Sequence, residues 1–421
     1  MSFGNVPRDL NVSCFATTRS TAAKSVNALF SADLRTVGAL LQYQRSPGVW
    51  VTAESLTVPA TQLGSVYTFP ANVFDPITNF DGSVVAVPLT SVVTGSVLTI
   101  LTNDNGQYIP TAIPIPPDSI GITTCAVSLS NDGNVLAFGA FQDNGGIGAV
   151  WIYAYIAGVW TLQGPKITGP GEIGVGNFGY SVSLNGAGDI LAVGSPQESL
   201  QIGAAYIFNL NNLAAPVFVT RLVGTALPAA PVFGFVVNFS ADGSTLAVGA
   251  SSSGVDQGSA FVFTKVQGTW TQQAKFDSAG LNVEFFGDGV SLSSDGNIFV
   301  ISSLINVFVS YRLNNVWSEV IVLPLPYDLV GLDPGSATTD YWGTISQDGN
   351  TICTSSRSND NNNGASWIFT QGPLGKWIQN GPGFIGTGAA TPAQQGTSQL
   401  SGNGKTVVVW SNVGNYVWIF V

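Results

Sequence analysis

The hydrophobic pattern along the chain is short, dense and periodic in the manner of strands. Segments such as Ser181–Leu184 (SVSL) and Val290–Ser293 (VSLS) alternate small polar with apolar residues, the period of a strand with two unlike faces. An Asp-Gly pair follows such segments at 132–133, 242–243, 295–296 and 348–349. Between apolar runs this pair signals a two-residue type I′ hairpin, in which both central residues take positive φ. Next comes a run of LAVG type, as in Leu191–Gly194 and Leu246–Gly249, ending on glycine. A third segment is apolar and aromatic: Val150–Tyr153, Ala205–Phe208, Ala260–Phe263, Val307–Val309, Ser366–Phe369 and Val417–Phe420. A run apolar on both faces belongs to a strand covered on both sides. A short turn and a tryptophan then open a fourth strand, at Trp50, Trp160, Trp270, Trp317 and Trp377. The four strands are denoted a to d.

This unit recurs from end to end, most clearly at Cys125–Trp160 and Phe233–Trp270. The turn position falls at Ala22, Asp81, Asp132, Ala187, Asp242, Asp295, Asp348 and Asn403, with intervals between 51 and 59 residues. The first copy is degenerate, but Asn27–Trp50 matches Ala137–Trp160 without a gap. Four-stranded antiparallel units packed on both faces and repeated in series predict an all-β fold, a single β-propeller spanning 1–421. The units run at about 11–58, 59–115, 116–170, 171–225, 226–278, 279–326, 327–385 and 386–421, which makes eight blades; seven is the alternative count. The last unit ends at Val421 after strand c. Residues 1–10 are expected to supply its outer strand, an N-to-C closure that leaves no open edge.

The repeat resembles the FG-GAP unit of integrin-α-like propellers. Phe178-Gly179, Phe233-Gly234 and Phe286-Gly287 match its Phe-Gly pair, and Gly249-Ala250 and Gly194-Ser195-Pro196 match the end of its strand b. The resemblance implies a propeller serving adhesion, scaffolding or an enzyme-appended role. It departs from the calcium-binding members, whose a–b loops carry several carboxylates. Here each loop has a single Asp, too few oxygens for a cation that takes six to eight, so no metal is expected there. The Ser240-x-Asp242-Gly243 spacing also differs from a sialidase Asp-box, in which a residue separates Asp from Gly.

Composition narrows the chemistry. The chain has no histidine, which removes Ser-His-Asp, Cys-His and HExxH systems. Only 9% of residues are charged, and a net charge of −11 with 13 scattered Lys and Arg offers no track for nucleic acid. Cys14, Cys125 and Cys353 form no CxxC spacing and no disulfide framework. The start has no apolar leader core, and no apolar run is long enough to span a bilayer as a helix.

Candidate function is therefore placed on loops. In an antiparallel blade the a–b and c–d turns share one face, and the longer b–c and d–a loops share the other. The loop face offers Asp143, Asn144, Asp256, Gln257, Tyr327, Asp340, Asn359 and Asp360 as interaction residues. Trp342, in strand a, and Trp410, in the slot of Gly139, Gly194 and Gly249, break the repeat, as seam plugs or as contacts at a channel mouth. No catalytic residue and no cofactor are expected. The leading expectation is a non-enzymatic structural or interaction propeller, self-assembling or part of an extracellular or virion-type surface. Its partner is protein, self or a glycan, and no nucleic acid or membrane span is involved. The alternatives are a receptor- or lectin-like module using the loop face and a carboxylate-dependent glycosidase or lyase.

Overall fold

The computed structural model describes residues 41–46, 49–53, 60–93, 96–122, 126–227, 231–251, 258–324, 326, 341–357, 363–372, 375–389, 395–411 and 415–421. The chain divides into two units, Met1–Val58 with Gly372–Lys376, and Pro59–Gln371 with Trp377–Val421. In the first, Leu41–Ser46 pairs antiparallel with Val49–Ala53, Tyr43 standing opposite Val51.

The second unit is a β-propeller of seven blades, each a four-stranded antiparallel sheet. Strands a begin at Ile77, Ala126, Ser181, Val236, Gly289, Tyr341 and Gln395. Blade 5 splits its outer strand into Val316–Trp317 and Ile321–Val322, both paired with strand c. The expected eight blades are thus corrected to seven. The degenerate unit at 11–58 is not among the seven: of it only Leu41–Ser46 and Val49–Ala53 are described, and these pair with each other as a two-stranded sheet. Its match to Ala137–Trp160 reflects strand composition, which a hairpin and a blade share.

The outer strand of blade 7 is Tyr67–Thr68, with Tyr67 opposite Val417 and Thr68 opposite Tyr416. Thr61 and Val421 exchange two backbone hydrogen bonds of 3.0 Å, and Leu63 N donates to Ile419 O at 2.7 Å. The seam is therefore closed by residues 61–69; residues 1–10, expected in this position, lie outside the described residues.

The a–b turns also differ from expectation. Gly133 N donates to Ser130 O, and only the glycine of each Asp-Gly pair has positive φ (Gly133 70°, Gly243 69°, Gly296 62°, Gly349 71°). The aspartate acts as an acceptor instead: Asp132 Oδ1 takes the Ser130 hydroxyl (2.5 Å) and the Asn134 amide (3.0 Å). The same contacts recur at Asp242, Asp295 and Asp348. This is a turn with an Asx-type clamp, and glycine supplies the one left-handed residue.

Strand c provides the core. Trp151, Tyr206, Phe261, Phe308, Trp367 and Trp418 are buried, and the Phe of each Phe-Gly pair meets this position edge-on (Phe178–Tyr206 5.3 Å, Phe233–Phe261 5.3 Å, Phe286–Phe308 5.2 Å). The polar positions of strand a join the blades. Ser128 Oγ accepts Leu184 N, Ser183 Oγ accepts Phe239 N, and Asn238 Oδ1 accepts Leu292 N, each at 2.9 Å; Ser291 Oγ accepts Ile345 N at 3.2 Å. Strand a is the free inner edge of its sheet, and the neighbouring side chain supplies the acceptor its amide lacks. The SVSL alternation thus has a cause: serine satisfies the next blade while valine and leucine fill the seam.

Candidate functional site

The inner turns tie the ring shut at one end. Phe80 N donates to Asn131 O, Asn131 N to Gly186 O, Gly186 N to Ala241 O and Asp242 N to Ser294 O. Ser294 N donates to Gln347 O, Gln347 N to Gly402 O, and Asn403 N returns to Phe80 O. One backbone hydrogen bond joins each neighbouring pair, so seven turns form a closed belt. Within it Asn131 and Gln347 exchange two amide hydrogen bonds, of 2.9 and 2.7 Å. They belong to blades 2 and 6, which are not neighbours, so the pair spans the axis. Gly186, Ala241, Ser294 and Gly402 leave room for it.

Above this floor lies a cavity of about 670 Å³ lined by all seven blades. Its wall follows from register. The residue five positions before each belt residue is Asp75, Ala126, Ser181, Val236, Gly289, Trp342 or Thr397, and all but Gly289 line the cavity. Asp75 and Trp342 are the two members whose size or charge departs from this tier. Arg357, at the end of strand b in blade 6, reaches the same sector and donates from Nε to Thr397 Oγ1 at 3.3 Å. Asp75 is exposed to the cavity, and the protein walls around that cavity hinder solvation of its carboxylate, pushing the carboxyl up to about 6 against the opposing pull of the Arg357 charge.

One position nearer the loop face, the residue after each Phe-Gly pair is Tyr180, Phe235 or Asp288, and all three line the cavity. Phe141, Tyr180 and Phe235 meet in series across blades 2 to 4 as tilted rings, with centroids 5.0 and 5.1 Å apart and planes at 52° and 42°. Burial pushes the Tyr180 phenol up to about 12, with smaller contributions from the charges of Asp288 and Asp75.

The expected loop residues are placed as follows. Asp143 is buried: its Oδ2 pairs with Lys166 Nζ at 2.7 Å and its Oδ1 accepts Ile120 N at 2.6 Å. It holds the loop together and does not face a partner. Asn144 is exposed, in the left-handed region at φ 51°. Asp256, Gln257, Tyr327, Asp340, Asn359 and Asp360 lie outside the described residues. Trp342 is half-buried in the cavity wall. Trp410 is 3% exposed and packs with Val73, Val85 and Val417 at the seam of blades 7 and 1, while also lining the cavity. Among the described residues no group of three or more acids or cysteines could hold a metal ion. Cys353 is fully buried, and burial pushes its thiol up to about 12, leaving it a poor nucleophile.

Blade 3 repeats the Asp143 arrangement as Glu198, whose carboxylate is buried against Arg221 (2.8 Å) and the Tyr206 hydroxyl (2.7 Å). Nearby Glu172 accepts the Ser195 hydroxyl at 2.7 Å, and burial, aided by the Glu198 charge, pushes it up to about 7. An acid with a raised folded pKa holds its proton in the native state after the unfolded chain has released it. Stability therefore falls as pH rises from about 4.5 to about 7. Glu172→Gln keeps the acceptor for Ser195 and removes the charge. At pH 8 it is expected to be more stable than wild type by on the order of 1–3 kcal/mol, with little difference at pH 4.5. Denaturant midpoints at the two pH values check this, and an equal effect at both would refute it.

No family model matches the chain, and no curated protein sequence matches it. Solved structures do. Hydrazine synthase of Kuenenia stuttgartiensis is similar at 13% identity and a TM-score of 0.55, covering 84% of this chain and 96% of that one. The RRP9 WD40 repeats give 12% and 0.54, covering 86% and 99%. The Cps50 (Swd1) β-propeller domain of Myceliophteria thermophila gives 12% and 0.51, covering 83% and 99%. Likeness at this identity establishes the fold alone: the chain is a seven-bladed β-propeller.

Proposed function

We propose that the protein is a non-catalytic interaction propeller of FG-GAP type that engages a protein surface, including that of a second copy, through its b–c and d–a loops. The observation that carries this reading is the blade 3 loop Glu198–Gln201. Ser199, Leu200 and Gln201 all have positive φ (53°, 61° and 72°), and Leu200 is 95% exposed. Blade 2 makes the same turn with Asn144, Gly145 and Gly146, residues suited to it. Left-handed backbone costs a residue with a Cβ about 1–2 kcal/mol, so blade 3 carries strain in order to present an aliphatic side chain to solvent. Ile173 and Val175, in the preceding d–a loop, are 65% and 55% exposed, and Ser199 N donates to Ile173 O. Low charge and few tryptic sites suit a durable extracellular or virion-type assembly.

Light scattering over a concentration series tests self-association. Wild type is expected to gain apparent mass with concentration, and Leu200→Asp to remain monomeric. A wild type that is monomeric throughout would overturn the self-assembly reading. A glycan-active enzyme is the rival. It draws on Asp75 and Asp288, two acids of different blades in one cavity, but Arg357 beside Asp75 suits ligand holding better than acid–base exchange.

A further inference from the structure

The repeat explains the strand-c rings as core and the turn aspartates as clamps. It does not explain the side chains gathered at the cavity, where a propeller needs only small residues to close its ring. Two blades far apart in sequence put Asp75 and Trp342 into one tier, Arg357 reaches the same sector, and Tyr180, Phe235 and Asp288 stand one step nearer the loop face. We propose that this cavity is a binding site for a single uncharged pyranose, such as the terminal residue of a glycan.

Size is the first argument. A volume of about 670 Å³ falls among pockets that enclose small ligands, and the Asn131–Gln347 clasp gives it a floor, so a ligand enters and stops. Ring chemistry is the second. A pyranose carries C–H groups on one face and hydroxyls around its edge, so it needs an aromatic surface beside planar polar groups. Tyr180 and Phe235, 5.1 Å apart, make a shelf on blades 3 and 4, and Trp342 lies on blade 6 across the cavity. Both shelf rings and Trp342 are half-buried, retaining surface for contact.

Charge is the third. Each sugar hydroxyl both donates and accepts, and adjacent hydroxyls match groups that form two parallel hydrogen bonds. A carboxylate and a guanidinium supply the accepting and donating halves of that pattern. The charged lining is Asp75, Asp288 and Arg357, a net −1 that disfavours an anion, while Arg357 offsets Asp75 and so reduces what a cation would gain in that sector. This site is separate from the Leu200 surface and does not depend on it.

The test is calorimetric titration of the full chain with methyl pyranosides of glucose, galactose, mannose, fucose and N-acetylglucosamine. At least one is expected to bind. Trp342→Ala and Asp75→Asn are each expected to weaken it about ten-fold or more, the loss of roughly 1.4 kcal/mol of contact. Leu200→Asp should leave binding unchanged, which separates this site from the interaction face. If Trp342→Ala does not fold, Arg357→Gln serves in its place with the same expectation. Failure of every pyranoside to bind at about 20 mM, a range reached by even the weakest specific sites, would overturn the proposal. So would binding that Asp75→Asn and Arg357→Gln leave intact, or saturation by hexylammonium or N-acetylneuraminate in preference to the neutral sugars.

Discussion

Gly194→Ala is expected to destabilise the propeller by roughly 3 kcal/mol or more, the upper range for overpacking, or to prevent soluble folding. Gly194 is the penultimate residue of strand b in blade 3, and a Cβ there would stand 2.0 Å from the carbonyl oxygen of Gly234 in blade 4. The obstacle is backbone, so no side chain can rotate away; the blades must separate. The same approach recurs at Gly139 against Gly179 (2.5 Å) and Gly249 against Gly287 (2.1 Å). Every such pair sets the wedge between two blades, and a ring that must close on itself cannot widen one wedge without straining the others. Gly158→Ala is the control. Gly158 has φ 87° in an exposed turn with nothing within 4 Å of an added Cβ, so its substitution costs only the left-handed backbone, about 1 kcal/mol. Thermal and denaturant unfolding of the two variants check the contrast. Equal losses would mean that the seam does not need the close approach.

That pairing of glycines explains why much of the fold was legible in the sequence. LAVG and Phe-Gly recur because each blade must bring its strand b against the next blade's entry loop, and the serines of strand a recur because each inner edge needs acceptors. Such constraints are local and identical at every seam, so they print a period on the chain. The blade count is not a local property. Asn27–Trp50 carries strand-like composition and a well-placed tryptophan, yet Leu41–Ser46 pairs with Val49–Ala53 in a sheet of two. What decides between seven and eight is which segment completes the last sheet, and Tyr67–Thr68 is too short to announce itself by pattern. The cavity was hidden for a similar reason. Asp75 lies far in sequence from Trp342 and Arg357, and all three occupy slots where the repeat draws attention away from deviation. Trp342 breaks the repeat openly, whereas Asp75 shows itself only when the residue five places before each turn is compared across the blades.

Closure itself yields the second large effect. A disulfide between Thr61→Cys and Val421→Cys, in a chain with Cys14 and Cys125 replaced by serine, is expected to form on mild oxidation and to stabilise the propeller by about 2–4 kcal/mol. The two residues exchange paired backbone hydrogen bonds at 3.0 Å, the arrangement of directly opposed residues in an antiparallel ladder, where Cα atoms lie about 5.5 Å apart and a disulfide can be accommodated. Both side chains are exposed, so the exchange disturbs no core, and the buried Cys353 does not compete. Positions 61 and 421 are 360 residues apart, so the bond closes nearly the whole chain of the second unit and removes more unfolded-state freedom than a bond within one blade. Unfolding a ring of blades also begins most readily where two chain segments meet without covalent continuity, and this seam is such a place. The oxidised protein should therefore unfold at higher temperature and more slowly than its reduced form, with the difference abolished by dithiothreitol. Thiols that stay free under oxidation would place the closing strand elsewhere in the chain and remove residues 61–69 from that role.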